Sequence, residues 1–142
     1  MQIKIKKLNP EAIIPTYGHP GEDAAMDLYS LDNCELKPGE RKVFPLGFAL
    51  EFSKSFAAIV KDKSSLPNFH GLHTMGGVYD SGYRGEYNVL LINLGAKTVQ
   101  IVKGQKIAQL MIIPVEFAQL EEVAELDNTS SRGTGAFGST GK

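Results

Sequence analysis

The sequence predicts an all-β domain, a sandwich or barrel, and three observations predict it. Apolar and polar residues alternate in "QIKIKKL", the period of a half-buried strand. Short runs rich in aromatic and β-branched residues recur along the chain. Gly and Pro turns separate them in "HPGED", "LKPGER", "SGYRG" and "KGQ". The strand candidates are "QIKIKKL", "RKVFPLGFALEF", "FAAIVKDK", "GEYNVLLINLG" and "TVQIVKGQKIAQLMIIPVEF". One short helix is expected around "SSLPNFHGL", with Ser64 or Ser65 as its cap and Pro67 in its first turn. "AQLEEVAEL" has helical propensity, but it follows a strand directly and reads as strand plus connection. From Asp127 the composition turns low in complexity, giving a division into a β domain over 1–126 and an arm over 127–142.

Composition narrows the function. A chain of 142 residues suits one domain with a real core. A net charge of −1 gives no global basic field, so no nucleic-acid partner is expected. Cys34 is the single cysteine, which excludes an internal disulfide and a cysteine zinc cluster and suits a reducing, cytoplasmic setting. "MQIKIKKLNP" has no apolar signal core, and no run approaches the roughly 18 apolar residues of a membrane span, so no membrane partner is expected.

Five stretches carry chemistry. "GGVYDSGYRGEY" reads as a hairpin around a "DSG" turn, with Tyr79, Tyr83 and Tyr87 crowded beside Asp80 and Arg84. Tyrosine faces against a carboxylate suit a planar ring next to a reacting water. "KDKSSLP" sets Lys63 before two hydroxyls at a helix start, a combination that favours anions. Asp23 and Asp27 in "DAAMDLYS" suit Mg²⁺ held through its waters, because Mg²⁺ gives up water reluctantly. Gln109 stands inside an apolar strand and needs a hydrogen-bond partner. In "SRGTGAFGSTGK" the spacing from Gly133 to Gly138 imitates a Walker A loop. Ser139 replaces its lysine, however, and no helix follows. The arm still offers glycine-rich backbone N–H groups, the forked donors of Arg132 and the stacking face of Phe137. His70 and His73, three residues apart, read as surface histidines.

In this order, "AAMDLYS", "DKSSLP", "GGVYDSGYRGEY", "GQKIAQL" and "SRGTGAFGSTG" resemble the five motifs of the trimeric all-β dUTPases, from Ala24 to Gly141. The resemblance implies a jelly-roll-like β-barrel or sandwich with one short helix and a flexible Gly-rich C-terminal arm. It implies a homotrimer with shared active sites, the substrate dUTP and the cofactor Mg²⁺. Carried over by motif, Asp80 activates the attacking water. Tyr83 packs under deoxyribose and excludes a 2′-hydroxyl. The backbone of Gly77, Val78 and Tyr79 reads the uracil edge, with Thr74 and Asn88 at neighbouring contacts. Lys63, Ser64, Ser65 and Gln109 bind phosphates, and Asp27 orients Mg²⁺ through water. Arg132 meets the γ-phosphate, Phe137 covers uracil, and Gly138, Ser139 and Thr140 cradle the phosphates. The arm is expected to be mobile until ligand orders it.

The chain departs from the family pattern in three places. Lys63-Ser64-Ser65 stands for the usual Arg-Ser-Gly, Ala25-Met26 for Gly-Tyr, and Ala136 for glycine. Two other functions fit parts of the pattern. A dCTP deaminase, or a bifunctional deaminase–diphosphatase, needs a catalytic glutamate on the strand after the third motif, where Leu90 stands. A regulatory dUTP-binding homologue without turnover would not need Asp80, Tyr83, Arg132 and Phe137 all retained.

Overall fold

Alternation and β-branching give eleven strands and one helix in a computed structural model that describes residues 1–127 and 129–136. In order these are β1 (Lys4–Lys7), β2 (Met26–Tyr29), β3 (Cys34–Leu36), β4 (Arg41–Pro45), β5 (Phe48–Glu51), β6 (Phe56–Lys61), α1 (Ser65–His70), β7 (Leu72–Met75), β8 (Val78–Tyr79), β9 (Asn88–Asn93), β10 (Val99–Ile101) and β11 (Lys106–Pro114). The strands pair as β1-β5, β10-β3, β2-β11-β6-β8 and β4-β9-β7, and every pairing is antiparallel. Partners are mostly distant in sequence, as in a jelly roll and unlike a meander.

The longest strand, β11, lies between β2 and β6, with Gln109 opposite Asp27 on one side and Lys61 on the other. It buries Ile107, Ala108 and Leu110 completely. Around them the core gathers Leu28, Phe44, Phe48, Val60, Leu72, Tyr87, Val89 and Leu91. Burying one such side chain contributes about 1.5–3 kcal/mol, so this cluster is what holds the two larger sheets together.

The structure corrects four expectations. "GGVYDSGYRGEY" is not a hairpin: β8 pairs with β6, and β9 pairs with β4 and β7. The chain changes sheet at Gly76 and Gly77, both with positive φ (65° and 92°), and crosses back through Asp80–Tyr87. A side chain at Gly77 would also press on Val60, whose N–H donates to the Gly77 carbonyl at 2.7 Å. Ser64 occupies the helix N-cap position, but its backbone is already helical and its side chain makes no cap bond. At its other end the helix is closed by Gly71 (φ 68°), whose N–H returns to the Leu66 and Pro67 carbonyls. Strand β11 ends at Pro114, and "AQLEEVAEL" forms no regular element; Phe117, Leu120 and Leu126 are exposed. A strand needs a partner ladder for its backbone groups, and among the described residues that segment has none. Finally, β3 and β7 arise from stretches with too little periodicity to be read as strands.

Candidate active site

One end of the site is a carboxylate held by two ammonium groups. Asp27 projects from β2, and its side chain is only 8% exposed. Its Oδ1 accepts from Lys63 Nζ at 2.7 Å and its Oδ2 from Lys106 Nζ at 2.7 Å. Burial pushes the carboxyl up, but the hydrogen bonds and charges of Lys106 and Lys63 outweigh it and hold it below its ordinary value. One buried carboxylate with two cations leaves net positive charge, which suits an anion with several oxygens. Lys106 was not among the expected site residues, although it opens "KIAQL" three residues before Gln109.

Beside this cluster, the backbone turns around Asp62, which lies between β6 and Lys63. Its Oδ1 accepts from the Thr74 N–H at 2.6 Å and from the Thr74 hydroxyl at 2.7 Å. Its Oδ2 lies 2.7 Å from His73 Nδ1. Gln109 Nε2 donates to the Asp62 carbonyl at 2.7 Å, which gives Gln109 the partner that its strand position requires. The Asp62 carboxyl is pushed up by burial but brought below its ordinary value by Thr74 and His73. Thr74 is buried and commits its hydroxyl proton to Asp62; His70 and His73 are exposed.

The other end is aromatic. Tyr87 is fully buried between Phe48 (ring centroids 5.7 Å apart) and Tyr79 (4.2 Å, interplanar angle 17°). Burial pushes its phenol up to about 12, with Tyr79 adding to the shift. Tyr83 leans on both partners, 5.6 Å from Tyr79 and 5.9 Å from Tyr87, and keeps 40% of its surface exposed. The Tyr79 hydroxyl donates to the Asn88 carbonyl at 2.8 Å and accepts the Asn88 N–H at 3.1 Å. The Tyr83 hydroxyl donates to the Glu86 carbonyl at 3.0 Å, its ring lying against Gly85, where a Cβ would stand 2.6 Å from Tyr83 Cζ. Arg84 donates to the Ser81 and Tyr83 carbonyls and so staples the loop. Asp80 is exposed at its start, and its carbonyl accepts the Tyr83 N–H at 3.1 Å. Among the described residues, strand β8, carrying Val78 and Tyr79 beside Gly77, is a sheet edge paired with β6 alone.

The two ends are separated along β6. Tyr79 stands opposite Ala58, and Asp80 leaves toward Ala57, away from Lys61. At about 3.3 Å per residue, four residues of strand put at least ~13 Å between that point and the start of the Asp62–Lys63 turn. The fifth motif is described only in part. Arg132 Nε donates to the Gly135 carbonyl at 2.9 Å in a turn that Gly133 (φ 53°) permits. Phe137, Gly138, Ser139 and Thr140 lie outside the described residues.

For Mg²⁺, the donor chemistry fits a hydrated ion. Among the described residues no three His, Cys, Asp or Glu side chains converge on one point. Asp27 already accepts an ammonium on each oxygen, and its remaining lone pairs suit the water shell of an ion brought by an anionic ligand.

Fold and site thus define an all-β protein that offers separate places for a polyanion and for a planar ring. Residues 10–141 match the family model for dUTPase. The deoxyuridine 5′-triphosphate nucleotidohydrolase of Nautilia profundicola is 45% identical over 100% of both chains, and that of Clostridium kluyveri is 43% identical over 99% of both. Among solved structures, a Staphylococcus bacteriophage 80alpha dUTPase mutant with dUpNHpp superposes with a TM-score of 0.90 over 99% of both chains, at 24% identity. A dUTPase mutant of phage phi11, which coordinates a structural Mg(II) ion, superposes at 0.83 over 90% of this chain and 100% of its own, at 22% identity. The chain belongs to the dUTPase family.

Proposed function

We propose that this protein hydrolyses dUTP to dUMP and diphosphate. The supporting observation is that a chain aligned end to end with deoxyuridine triphosphate nucleotidohydrolases carries two lysines on the buried Asp27 and a cluster of tyrosines flanking Asp80 in the chain. Lys63, Ser64, Ser65 and Gln109 take the phosphates. The exposed edge of β8 at Gly77, Val78 and Tyr79 reads the base through backbone groups, flanked by Thr74 and Asn88. Tyr83 supports the sugar. Asp80 accepts a proton from water as its oxygen bonds to the α-phosphorus. The α–β bridging bond breaks, and the electron pair leaves on diphosphate, which takes up the proton. Asp27 would hold Mg²⁺ through water, and the ion would supply neutralisation of phosphate charge. From the arm, Arg132 meets the γ-phosphate, Phe137 covers the base and Gly138, Ser139 and Thr140 wrap the phosphates, excluding bulk water.

We further infer a homotrimer with shared sites and a closing arm over 127–142. The separation of the two ends within one chain supports this, because a neighbouring protomer can set its own anion-binding end beside this chain's aromatic end. So do the apolar side chains that the segment after Pro114 exposes.

Deamination of dCTP has less support. Leu90 lies inside β9 between Val43 and Met75. The nearest carboxylate in sequence, Glu86, accepts the Gly47 N–H at 2.9 Å and so serves the backbone.

The test is incubation with dUTP, UTP, dCTP and dTTP in Mg²⁺ with product analysis, alongside Asp80→Asn. Monophosphate and diphosphate from dUTP alone, lost in the variant, uphold the reading. Loss of the amino group from dCTP would replace it with the deaminase, and dUTP binding without turnover with a regulatory binder.

A further inference from the structure

The Asp62 network underlies the anion-binding end of the proposed site. In the sequence it is only the charged residue before Lys63. In the fold its carboxylate takes both donors of Thr74 and faces His73, fixing the turn after β6 to β7. Its carbonyl simultaneously accepts the Gln109 amide from β11. Its neighbour Lys63 reaches Asp27 on β2. One residue therefore ties together three strands at the point where Lys63 and Gln109 emerge.

We propose that Asp62 is a positioning residue for phosphate binding, holding Lys63 and Gln109 in the arrangement that receives the triphosphate. This rests on the dUTP reading above. The physical reason is preorganisation. With its Nε2 donating to the Asp62 carbonyl, Gln109 has a fixed side-chain orientation, and Lys63 starts from a backbone that cannot drift from β7. Because phosphate contacts are made in ground state and transition state alike, loosening them raises KM and leaves kcat nearly unchanged.

The experiment compares Asp62→Ala, Asp62→Asn and Thr74→Val with the wild type in steady-state kinetics, thermal unfolding and calorimetric binding of a non-hydrolysable dUTP analogue. Losing a hydrogen-bond hub to a charged group predicts that Asp62→Ala raises KM and analogue Kd about tenfold, with kcat within about twofold. Asp62→Asn keeps an oxygen for Thr74 and recovers most of that loss. Thr74→Val, isosteric and without the hydroxyl donor, shifts KM in the same direction by a smaller factor. The proposal is overturned if the variants lower Tm while KM and Kd stay at wild-type values, or if Asn is as impaired as Ala. Should Asp62→Ala fail to fold, the Asn and Val variants decide. Should the wild type not turn over dUTP, the functional reading fails, and analogue affinity across the same variants still judges Asp62.

Discussion

Gly85→Ala should disable Tyr83 without touching it. A Cβ at Gly85 would stand 2.6 Å from Tyr83 Cζ and 2.9 Å from Cε2. Ordinary carbon contacts lie at about 3.5–4.0 Å, so the ring must retreat by about 1 Å. That retreat breaks the Tyr83 hydroxyl bond to the Glu86 carbonyl and disturbs the tilted contacts with Tyr79 and Tyr87. The bond contributes about 1 kcal/mol net and an aromatic contact about 0.5–1.5 kcal/mol, so the expected destabilisation is about 1–3 kcal/mol. The functional loss is larger, because a misplacement of about 1 Å in a positioned group costs up to ~10²-fold in rate. The assay measures kcat/KM for dUTP and UTP, together with the denaturation midpoint. Falling dUTP turnover with a narrowed dUTP-to-UTP preference is expected. Unchanged preference and midpoint would show that the loop absorbs the methyl group and that Gly85 does not set the ring.

Three further outcomes follow from the electrostatics and the assembly. Asp27 and Asp62 both titrate below their ordinary value of 3.8, so the unfolded chain takes up protons first as pH falls. Their stabilisation is full above that value and is lost below it, which denaturant midpoints between about pH 6 and 3 would register; a flat profile would refute it. Tyr87, raised to about 12, contributes stability that is complete below the ordinary phenol value of 10 and is lost as pH rises toward 12; alkaline unfolding in step with the ultraviolet tyrosinate signal would report it. If sites are shared, mixing inactive Asp80→Asn with an inactive Lys63→Ala variant should restore part of the activity on subunit exchange. Mixtures as dead as their components would exclude that arrangement.

The sequence by itself determined most of the strand content, β3 and β7 excepted, because period-2 alternation and β-branched runs respond to local backbone geometry. It also disclosed the motif residues, whose chemical types are visible without coordinates. What it could not disclose was partnership. "GGVYDSGYRGEY" reads as a hairpin because its flanks are apolar and close in sequence. Only the tertiary pairing of β8 with β6 and of β9 with β4 and β7 shows that the loop bridges two sheets. Nothing in the sequence singled out Lys106 or Asp62. They became parts of the site because β2, β11 and β7, distant in sequence, bring Asp27, Gln109 and Thr74 to them. Ser64 had the composition of an N-cap, but its backbone is helical and its hydroxyl makes no cap bond, while at the other end Gly71, packed against Gly95, closes the helix. Local propensity is written in neighbouring residues and can be read there. Hydrogen bonds and ion pairs between strands dozens of positions apart depend on topology, so only the folded chain decides them.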